Sequence, residues 1–404
     1  MAHSYADLPL HYGKVPRWLY ERMGKLGGAI VESIVQDYGK HEVLRRLSDP
    51  FWFQSLGCVL GMDWHSSGIT TSVMGALKGA INKQAGSLGL YICGGKGKHS
   101  RETPTELIKV AERTGLNGDM LVRSSKLAAK VDNNAVQDGY QIYLHSFILS
   151  DDGEWAVVQQ GMNDSNGYAR RYHWHSRKIK SFVEEPHTFI YGQNQGRILN
   201  LTHKAAADTK TSILNIVKEE PKKLLESVKS LKMPAHHDVK AKDVDLKRLG
   251  SVLAVAYEKE DLDIESLLLL EGLGPRTLQS LVLVSEVIHG TPSRFEDPAR
   301  YSFAHGGKDG HPFPVPTKVY DETISNLKHA VERARLGNSD KMEAIKNLGS
   351  AAQRLEENFV PNNNFEQLIE RERNESWRYG GKTVFGDAKP PKEETANIQL
   401  QLFS

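Results

Sequence analysis

Two strand-like segments joined by a tight turn constrain the fold of this chain more than any other feature. Residues 140–150 and 155–162 are rich in aromatic and aliphatic side chains, and Asp151-Asp152-Gly153 lies between them. Asp-Gly between two such segments is a strong short-range signal for a β-hairpin. The first half of the chain is therefore predicted to be mixed α and β, with an antiparallel pair of strands.

The spacing of apolar residues changes along the chain and predicts three regions. From Leu201 onward the pattern is helical, a break falls at Met233-Pro234, and helical patterns resume and extend to residue 357. Residues 371–397 are too poor in apolar side chains to form a core. We predict an α+β protein with a mixed α/β domain over residues 1–232, an all-helical domain over 233–370 and a disordered tail over 371–404.

Composition limits the classes of function. The chain has 404 residues, a net charge of +2 and two cysteines, Cys58 and Cys93. Two cysteines exclude a disulfide framework and a four-thiolate zinc site, and no apolar run approaches the length of a membrane span. We expect a cytosolic protein without membrane insertion, in which any nucleic-acid surface comes from local clusters of basic residues.

The segment Leu267-Leu268-Leu269-Leu270-Glu271-Gly272-Leu273-Gly274-Pro275-Arg276-Thr277-Leu278 resembles a helix-hairpin-helix, through which many repair enzymes bind DNA without reading its sequence. Two glycines allow a tight turn with exposed amides, and the following helix begins with its positive dipole end facing out. The alternative is an αα-hairpin with a leucine core. DNA contacts are predicted from Gly272, Gly274, Arg276 and Thr277.

A glycine-rich segment is the second candidate for phosphate binding. A strand predicted over residues 88–93 continues into Gly94-Gly95-Lys96-Gly97-Lys98-His99-Ser100-Arg101, and Thr103-Pro104-Thr105-Glu106 has the pattern of a capping box at a helix start. The loop departs from a Walker A motif, so ATP hydrolysis by that route is not expected. It is predicted to grip DNA phosphate, the alternative being a turn with solvated lysines; its basic residues are Lys96, Lys98 and Arg101.

Two aspartates at the ends of a loop are the candidate metal ligands. Asp132 and Asp138 bracket the loop 132–139 before a predicted strand, and carboxylates so placed can hold Mg²⁺ or Mn²⁺ for phosphodiester cleavage. His145 lies in that strand and is the third predicted catalytic residue. The alternatives are turn or cap residues for the aspartates and a satisfied histidine on a sheet face.

Residues 168–180 interleave aromatic and basic side chains, which suits stacking on unpaired bases beside phosphates. If the segment is a strand, Arg170, Tyr172 and Trp174 share one face and Arg171 and His173 share the other. Arg171 and Trp174 are the predicted contacts with single-stranded DNA. The alternative is a half-buried edge strand whose charges protect the edge.

The last residues match a docking peptide. Gln399-Leu400-Gln401-Leu402-Phe403 resembles the Gln-Leu-x-Leu-Phe peptide through which bacterial repair and replication proteins bind the sliding clamp. Gln399, Leu400, Leu402 and Phe403 are the predicted clamp contacts. A frayed or docked last strand is the alternative.

Several segments together are similar to the domain-of-unknown-function 763 family, over most of the chain before the tail. The resemblance implies occurrence in bacteria and archaea and a role in DNA metabolism, and it carries no settled activity. The segments are Gly13-Lys14-Val15-Pro16-Arg17-Trp18-Leu19, residues 94–104, the region 132–160, the helix-hairpin-helix and Arg300-Tyr301-Ser302-Phe303-Ala304-His305-Gly306-Gly307-Lys308-Asp309-Gly310.

Together these features predict a metal-dependent DNA nuclease that acts in repair or replication at the nucleoid and is recruited by the sliding clamp. A non-catalytic adaptor that binds DNA structures is the first alternative. A DNA glycosylase using Asp297 or Asp309 is a weaker one, because the spacing from the helix-hairpin-helix fits poorly. The sequence leaves RNA open as a substrate.

Overall fold

A computed structural model shows the fold and describes residues 8–9, 15–62, 67–230, 246–299, 317–334, 336–357, 382–383 and 386–387. The chain forms two units, residues 1–353 and residues 354–404. The predicted domain boundary near residue 232 falls in the stretch 231–245, outside the described residues, and stays a prediction.

Helices and short antiparallel sheets together make this an α+β protein, as predicted. The strands within the described ranges are β1 (Leu8–Pro9), β2 (Leu90–Lys96), β3 (Val136–Gln137), β4 (Gln141–Ser150), β5 (Trp155–Asn163), β6 (Tyr168–His175), β7 (Phe189–Tyr191), β8 (Arg197–Asn200), β9 (Phe295–Glu296), β10 (Lys382–Thr383) and β11 (Gly386–Asp387).

Helices make up more than half of the described residues. Those within the described ranges are α1 (Arg17–Tyr38), α2 (Lys40–Leu47), α3 (Pro50–Val59), α4 (Gly68–Ile81), α5 (Ala85–Leu88), α6 (Lys98–Thr114), α7 (Gly118–Lys130), α8 (Ala207–Val217), α9 (Pro221–Ser230), α10 (Leu246–Tyr257), α11 (Ile264–Leu268), α12 (Pro275–His289), α13 (Thr317–Arg333) and α14 (Asn338–Glu357).

The main sheet is antiparallel and runs in the order β1-β6-β5-β4-β2, with β7 also paired to β6. The predicted hairpin is confirmed. Strand β4 pairs with β5, and the amide of Ser150 donates a hydrogen bond across the turn to the carbonyl of Glu154 at 2.8 Å. Gly153 has a φ of 95°, which explains why glycine ends the Asp151-Asp152-Gly153 turn. Strands β4, β5 and β6 form a simple meander.

Helices cover both faces of this sheet. Phe147 and Val157 belong to one apolar core, which also contains residues of α7 and α12, whereas Ile148 and Val158 belong to a second core with residues of α1 and α4. Neighbouring residues on a strand therefore enter different cores, as the two-residue period of a strand requires. Antiparallel sheets commonly leave one face to solvent, and this one does not.

A second, three-stranded sheet has the order β3-β8-β9. Strand β9 lies in the region predicted to be all helical and pairs with β8, so residues after α12 are joined to the mixed α/β part of the chain. Within the second unit, β10 pairs with β11. The remaining residues of the predicted tail lie outside the described ranges.

The capping-box prediction at Thr103 is wrong, because α6 begins five residues earlier, at Lys98, and Pro104 lies inside it. Proline has no N–H to donate to the carbonyl of Ser100. The hydroxyl of Thr103 donates to that carbonyl instead, at 2.8 Å. Glu106, the expected second member of the box, accepts from the amide of Gly94 at 2.7 Å.

Candidate functional site

Helix α7 ends in a π-helical turn, Val131–Ala135, which carries Asp132 into the core. Its Oδ2 accepts from Gln159 Nε2 at 2.6 Å and from Trp174 Nε1 at 2.9 Å, and its Oδ1 is paired with His187 Nε2. Burial raises the pKa of the Asp132 carboxyl, while the imidazole of His187 acts in the opposite direction. Each carboxylate oxygen of Asp132 is thus already bound.

The hydrogen bonds continue from Gln159 to His145, its partner across the β4–β5 pair. Gln159 uses its amide nitrogen on Asp132 and on the carbonyl of Ala128, so its oxygen accepts from His145 Nδ1 at 2.8 Å. His145 Nε2 then accepts from the hydroxyl of Ser125, also at 2.8 Å. Burial lowers the pKa of His145 to about 4, so the ring is neutral with a fixed tautomer at physiological pH.

Asp138 belongs to a second buried cluster, which contacts the same face of β6 as Asp132 does. Its Oδ2 accepts from Arg170 Nη1 at 2.7 Å and from the hydroxyl of Tyr172 at 2.6 Å. Arg170 also binds Asp297, and both charges of each pair are fully buried. Burial raises the pKa of Asp138, and the charge of Arg170 opposes that rise.

The two predicted metal ligands therefore contact neighbouring positions on one face of β6: Asp132 binds Trp174, and Asp138 binds Tyr172. A metal ion at either carboxylate would have to replace protein donors already in place. In the part of the chain that the structure describes, no three His, Cys, Asp or Glu side chains come together in a way that could hold a metal ion. Ligation of Mg²⁺ or Mn²⁺ by Asp132 and Asp138, and catalysis by His145, stay predictions.

The prediction that Arg171 and Trp174 contact DNA is wrong for this fold, because both side chains are 0% exposed. The alternation within the strand is as predicted: Trp174 enters one core, and Arg171 points to the other. Arg171 donates to Gln54 Oε1 at 2.8 Å and lies over the ring of Phe53, 4.6 Å from its centroid. These residues hold the sheet to its helical layers.

The glycine-rich segment is not the expected open cradle. Its first three residues belong to β2, Gly97 forms the turn, and the rest is the first turn of α6. Gly94 binds Glu106 through its N–H and Lys78 through its carbonyl. The side chains of Lys96, Lys98 and Arg101 are exposed, and their contact with DNA phosphate stays a prediction.

The helix-hairpin-helix segment does form two helices joined by a tight turn. Asp263 caps α11 by accepting from Ser266 N at 2.7 Å, and α12 begins with Pro275 after Gly274. Gly272 has a φ of 83°, which allows the turn. Gly272 and Arg276 are exposed, whereas the side chain of Thr277 is buried.

Three side chains from the end of α7 and the following loop fix this turn to the rest of the fold. Lys130 Nζ and Asn134 Nδ2 donate to the carbonyl of Leu273 at 2.9 and 3.3 Å, and Gln137 Nε2 donates to that of Pro275 at 2.8 Å. Asn134 and Gln137 lie in the loop that the sequence singled out for its aspartates. Their amides, rather than the carboxylates, reach the turn.

Some predicted positions lie outside the described residues. They are the segment 300–316, with Asp309, and the clamp-binding residues Gln399, Leu400, Leu402 and Phe403. His187, a partner of Asp132, was missed because it lies in an irregular loop with no local motif. Asp297 was considered only as a catalytic residue, and its ion pair with Arg170 had no signal in the sequence.

The fold defines the protein as an α+β protein with a helix-covered antiparallel sheet and with a tight turn between α11 and α12 that is bonded to the end of α7 and the loop after it. Within the described ranges, no helix combines the length and apolar character needed to cross a membrane. The family model described as "Protein of unknown function (DUF763)" matches residues 4–315, and the chain belongs to this family. Comparison with curated proteins gave no significant match, and neither did comparison with solved structures.

Proposed function

We propose that the protein binds the DNA backbone through residues 270–277, without reading its sequence, and serves as an adaptor in repair or replication. The observation that carries this proposal is the exposed turn at Gly272 and Arg276, where α12 begins without a side-chain cap. The first amides of a 15-residue helix and an exposed arginine form a suitable site for a phosphate group.

Rigid attachment supports this function. The turn is held by Lys130, Asn134 and Gln137, so its amides are preorganised rather than ordered on binding. Preorganisation saves the conformational entropy that a flexible loop would lose. Docking of the terminal peptide on a bacterial sliding clamp would bring the protein to DNA at sites of synthesis.

An adaptor fits the geometry better than the nuclease predicted from the sequence. Asp132 and Asp138 are 0% and 1% exposed, and each is held by several protein donors. Asp297, the candidate for a glycosylase, is held by Arg170 and accepts from backbone amides of Gln195 and Ala299. None of the three carboxylates is free to act on a substrate in this conformation.

The test measures binding of labelled duplex DNA to the full chain by fluorescence anisotropy at several salt concentrations. Arg276→Ala should weaken binding about tenfold and lower the salt slope by about 1, because one phosphate contact is lost. Arg113→Ala, at an exposed arginine in the last turn of α6, is the charge-matched control. Equal effects of the two substitutions would contradict the assignment.

Replacing a glycine before α12 or the glycine after it separates effects on DNA binding from effects on folding. Gly272 and Gly290 have similar φ angles of 83° and 68°, so alanine should strain both sites to a similar degree. Only Gly272→Ala should weaken DNA binding. A last experiment incubates the protein with end-labelled DNA and Mg²⁺ or Mn²⁺. Metal-dependent DNA fragments would indicate a nuclease rather than an adaptor, and abasic sites would indicate a glycosylase.

A further inference from the structure

A cleft of about 350 Å³ lies beside α12, on the side that faces the loop 132–139. Side chains of this loop bind the turn before α12. Among the described residues, the walls of the cleft come from four separate parts of the chain: the loop around Asp138, Asn163 at the end of β5, the start of β8, and α12 with the segment that follows it. A site of this volume is at the small end of the range for ligand pockets, about 300–1,000 Å³. It has room for a single compact ligand but not for a base pair in a duplex.

The chemistry of the walls is divided. Arg197 and Arg294 provide positive charge, Ile198, Val282 and Leu283 provide an aliphatic surface, and Gln279 provides an amide. No hydrogen bond of the Gln279 side chain is formed within the described ranges. Among the described residues of the walls, the one acidic residue is Asp138, whose carboxylate is bound to Arg170 and Tyr172. A ligand with a phosphate, a flat face and polar edges matches these walls.

The cleft is connected to the turn through Gln137 and α12. Gln137 lines the cleft and donates to the carbonyl of Pro275, the first residue of α12. Arg276 and Gln279 are three residues apart on that helix, so they lie on one side of it with a rise of about 4.5 Å. That rise is similar to the advance of about 3.4 Å, along the axis of duplex DNA, between successive phosphates of one strand.

We propose that the cleft binds one unpaired nucleotide of the DNA whose backbone the turn holds, with Arg197 and Arg294 near its phosphate and Gln279 at the edge of its base. The inference rests on the proposed DNA binding and adds a preference for a bulged, gapped or extruded nucleotide. An unpaired base is the cheapest to accommodate, because no pairing has to be broken.

The test compares the affinities of the full chain for a paired duplex and for the same duplex with one unpaired nucleotide. Gln279→Leu and Arg197→Ala should each reduce the preference for the unpaired nucleotide about tenfold, while affinity for paired duplex stays within about twofold. Arg276→Ala should weaken binding of both DNAs, and Arg113→Ala of neither. 2-Aminopurine at the unpaired position gives a second readout, since its fluorescence should change on binding to the wild type and change less on binding to Gln279→Leu.

Two outcomes would overturn the inference without affecting the proposed function. In one, the wild type binds paired and unpaired DNA equally, or the cleft variants weaken both DNAs in parallel. In the other, a deoxynucleoside monophosphate binds with an affinity sensitive to Arg197→Ala while unpaired DNA has no advantage, which would make the cleft a site for free nucleotides. Absence of any DNA binding would instead refute the proposed function itself.

Discussion

Arg170 binds the carboxylate of Asp297 with both terminal nitrogens, Nη1 to Oδ1 at 3.1 Å and Nη2 to Oδ2 at 2.8 Å, across 127 residues of sequence. Arg170 lies in β6, and Asp297 follows β9 directly. This buried, two-point contact therefore joins the main sheet to the residues that follow α12. The second carboxylate that Arg170 binds, that of Asp138, comes from the loop whose side-chain amides hold the turn.

Removal of the shared cation should be strongly destabilising. Arg170→Leu leaves Asp138 and Asp297 buried without a counter-charge, and such losses cost about 3–5 kcal/mol. We expect the free energy of unfolding in urea to fall by this amount. Arg17→Leu, which removes an arginine from an exposed pair with Glu21, is the control and should leave the urea midpoint unchanged.

Stability should fall as the pH decreases from 6.5 towards 4, in part because of His145. Burial lowers the pKa of His145 to about 4, so in this range the unfolded chain takes up a proton that the folded chain does not. The full difference corresponds to about 3 kcal/mol. His145→Gln should flatten the dependence of unfolding free energy on pH by this amount; parallel curves for wild type and variant would contradict the neutral, buried histidine.

Gly94 should tolerate no side chain. A Cβ there would lie 2.2 Å from the carbonyl oxygen of His145 and 2.5 Å from Thr103 Oγ1, at a φ of 88°. We expect Gly94→Ala to cost about 3 kcal/mol or more, measured by chemical denaturation. Gly79→Ala, in α4 with open space around the added methyl group, should instead stabilise the protein by about 0.5–1 kcal/mol.

Thr103 and Pro104, inside α6, allow a double-mutant test. Thr103→Val removes the hydroxyl that donates to the carbonyl of Ser100, at a cost of about 1 kcal/mol. In a Pro104→Ala background the backbone N–H of residue 104 can bind that carbonyl, so the same change should cost less. Equal costs in both backgrounds, measured by thermal or urea unfolding, would show that the hydroxyl does not replace the missing N–H.

The terminal peptide should bind a bacterial sliding clamp independently of the fold. Deletion of residues 399–404, or Leu402→Ala with Phe403→Ala, should abolish clamp binding measured by calorimetry. The unfolding transition and the affinity for DNA should stay those of the wild type. Unchanged clamp affinity after the deletion would show that this peptide does not bind the sliding clamp.

The hairpin at 151–153 and the helical structure from Leu201 onward were predictable because their signals are local. Turn chemistry and apolar spacing are fixed by residues close in sequence, and tertiary contacts did not override them. The start of α6 was not predictable from the capping pattern. There the decisive interaction, between Glu106 and the amide of Gly94, requires that strand and helix be already side by side.

The errors at Arg171 and Trp174 have a different cause. Alternating basic and aromatic residues in a strand are typical of a surface, but both faces of this sheet are covered, so each side chain had to find a buried partner. Those partners, Gln54 for Arg171 and Asp132 for Trp174, lie 117 and 42 residues away. The cleft beside α12 was equally hidden, because four distant segments contribute its walls.

The link between Arg170 and Asp297 also bears on how the protein is made. During synthesis Arg170 leaves the ribosome 127 residues before Asp297, and at about 5–20 residues per second the interval is about 6–25 seconds. In that time the β4–β5–β6 meander can pair, because its contacts are local. We expect nascent chains that end before residue 297 to remain sensitive to protease around β6 and β8, and to become resistant only once Asp297 has joined its buried cation.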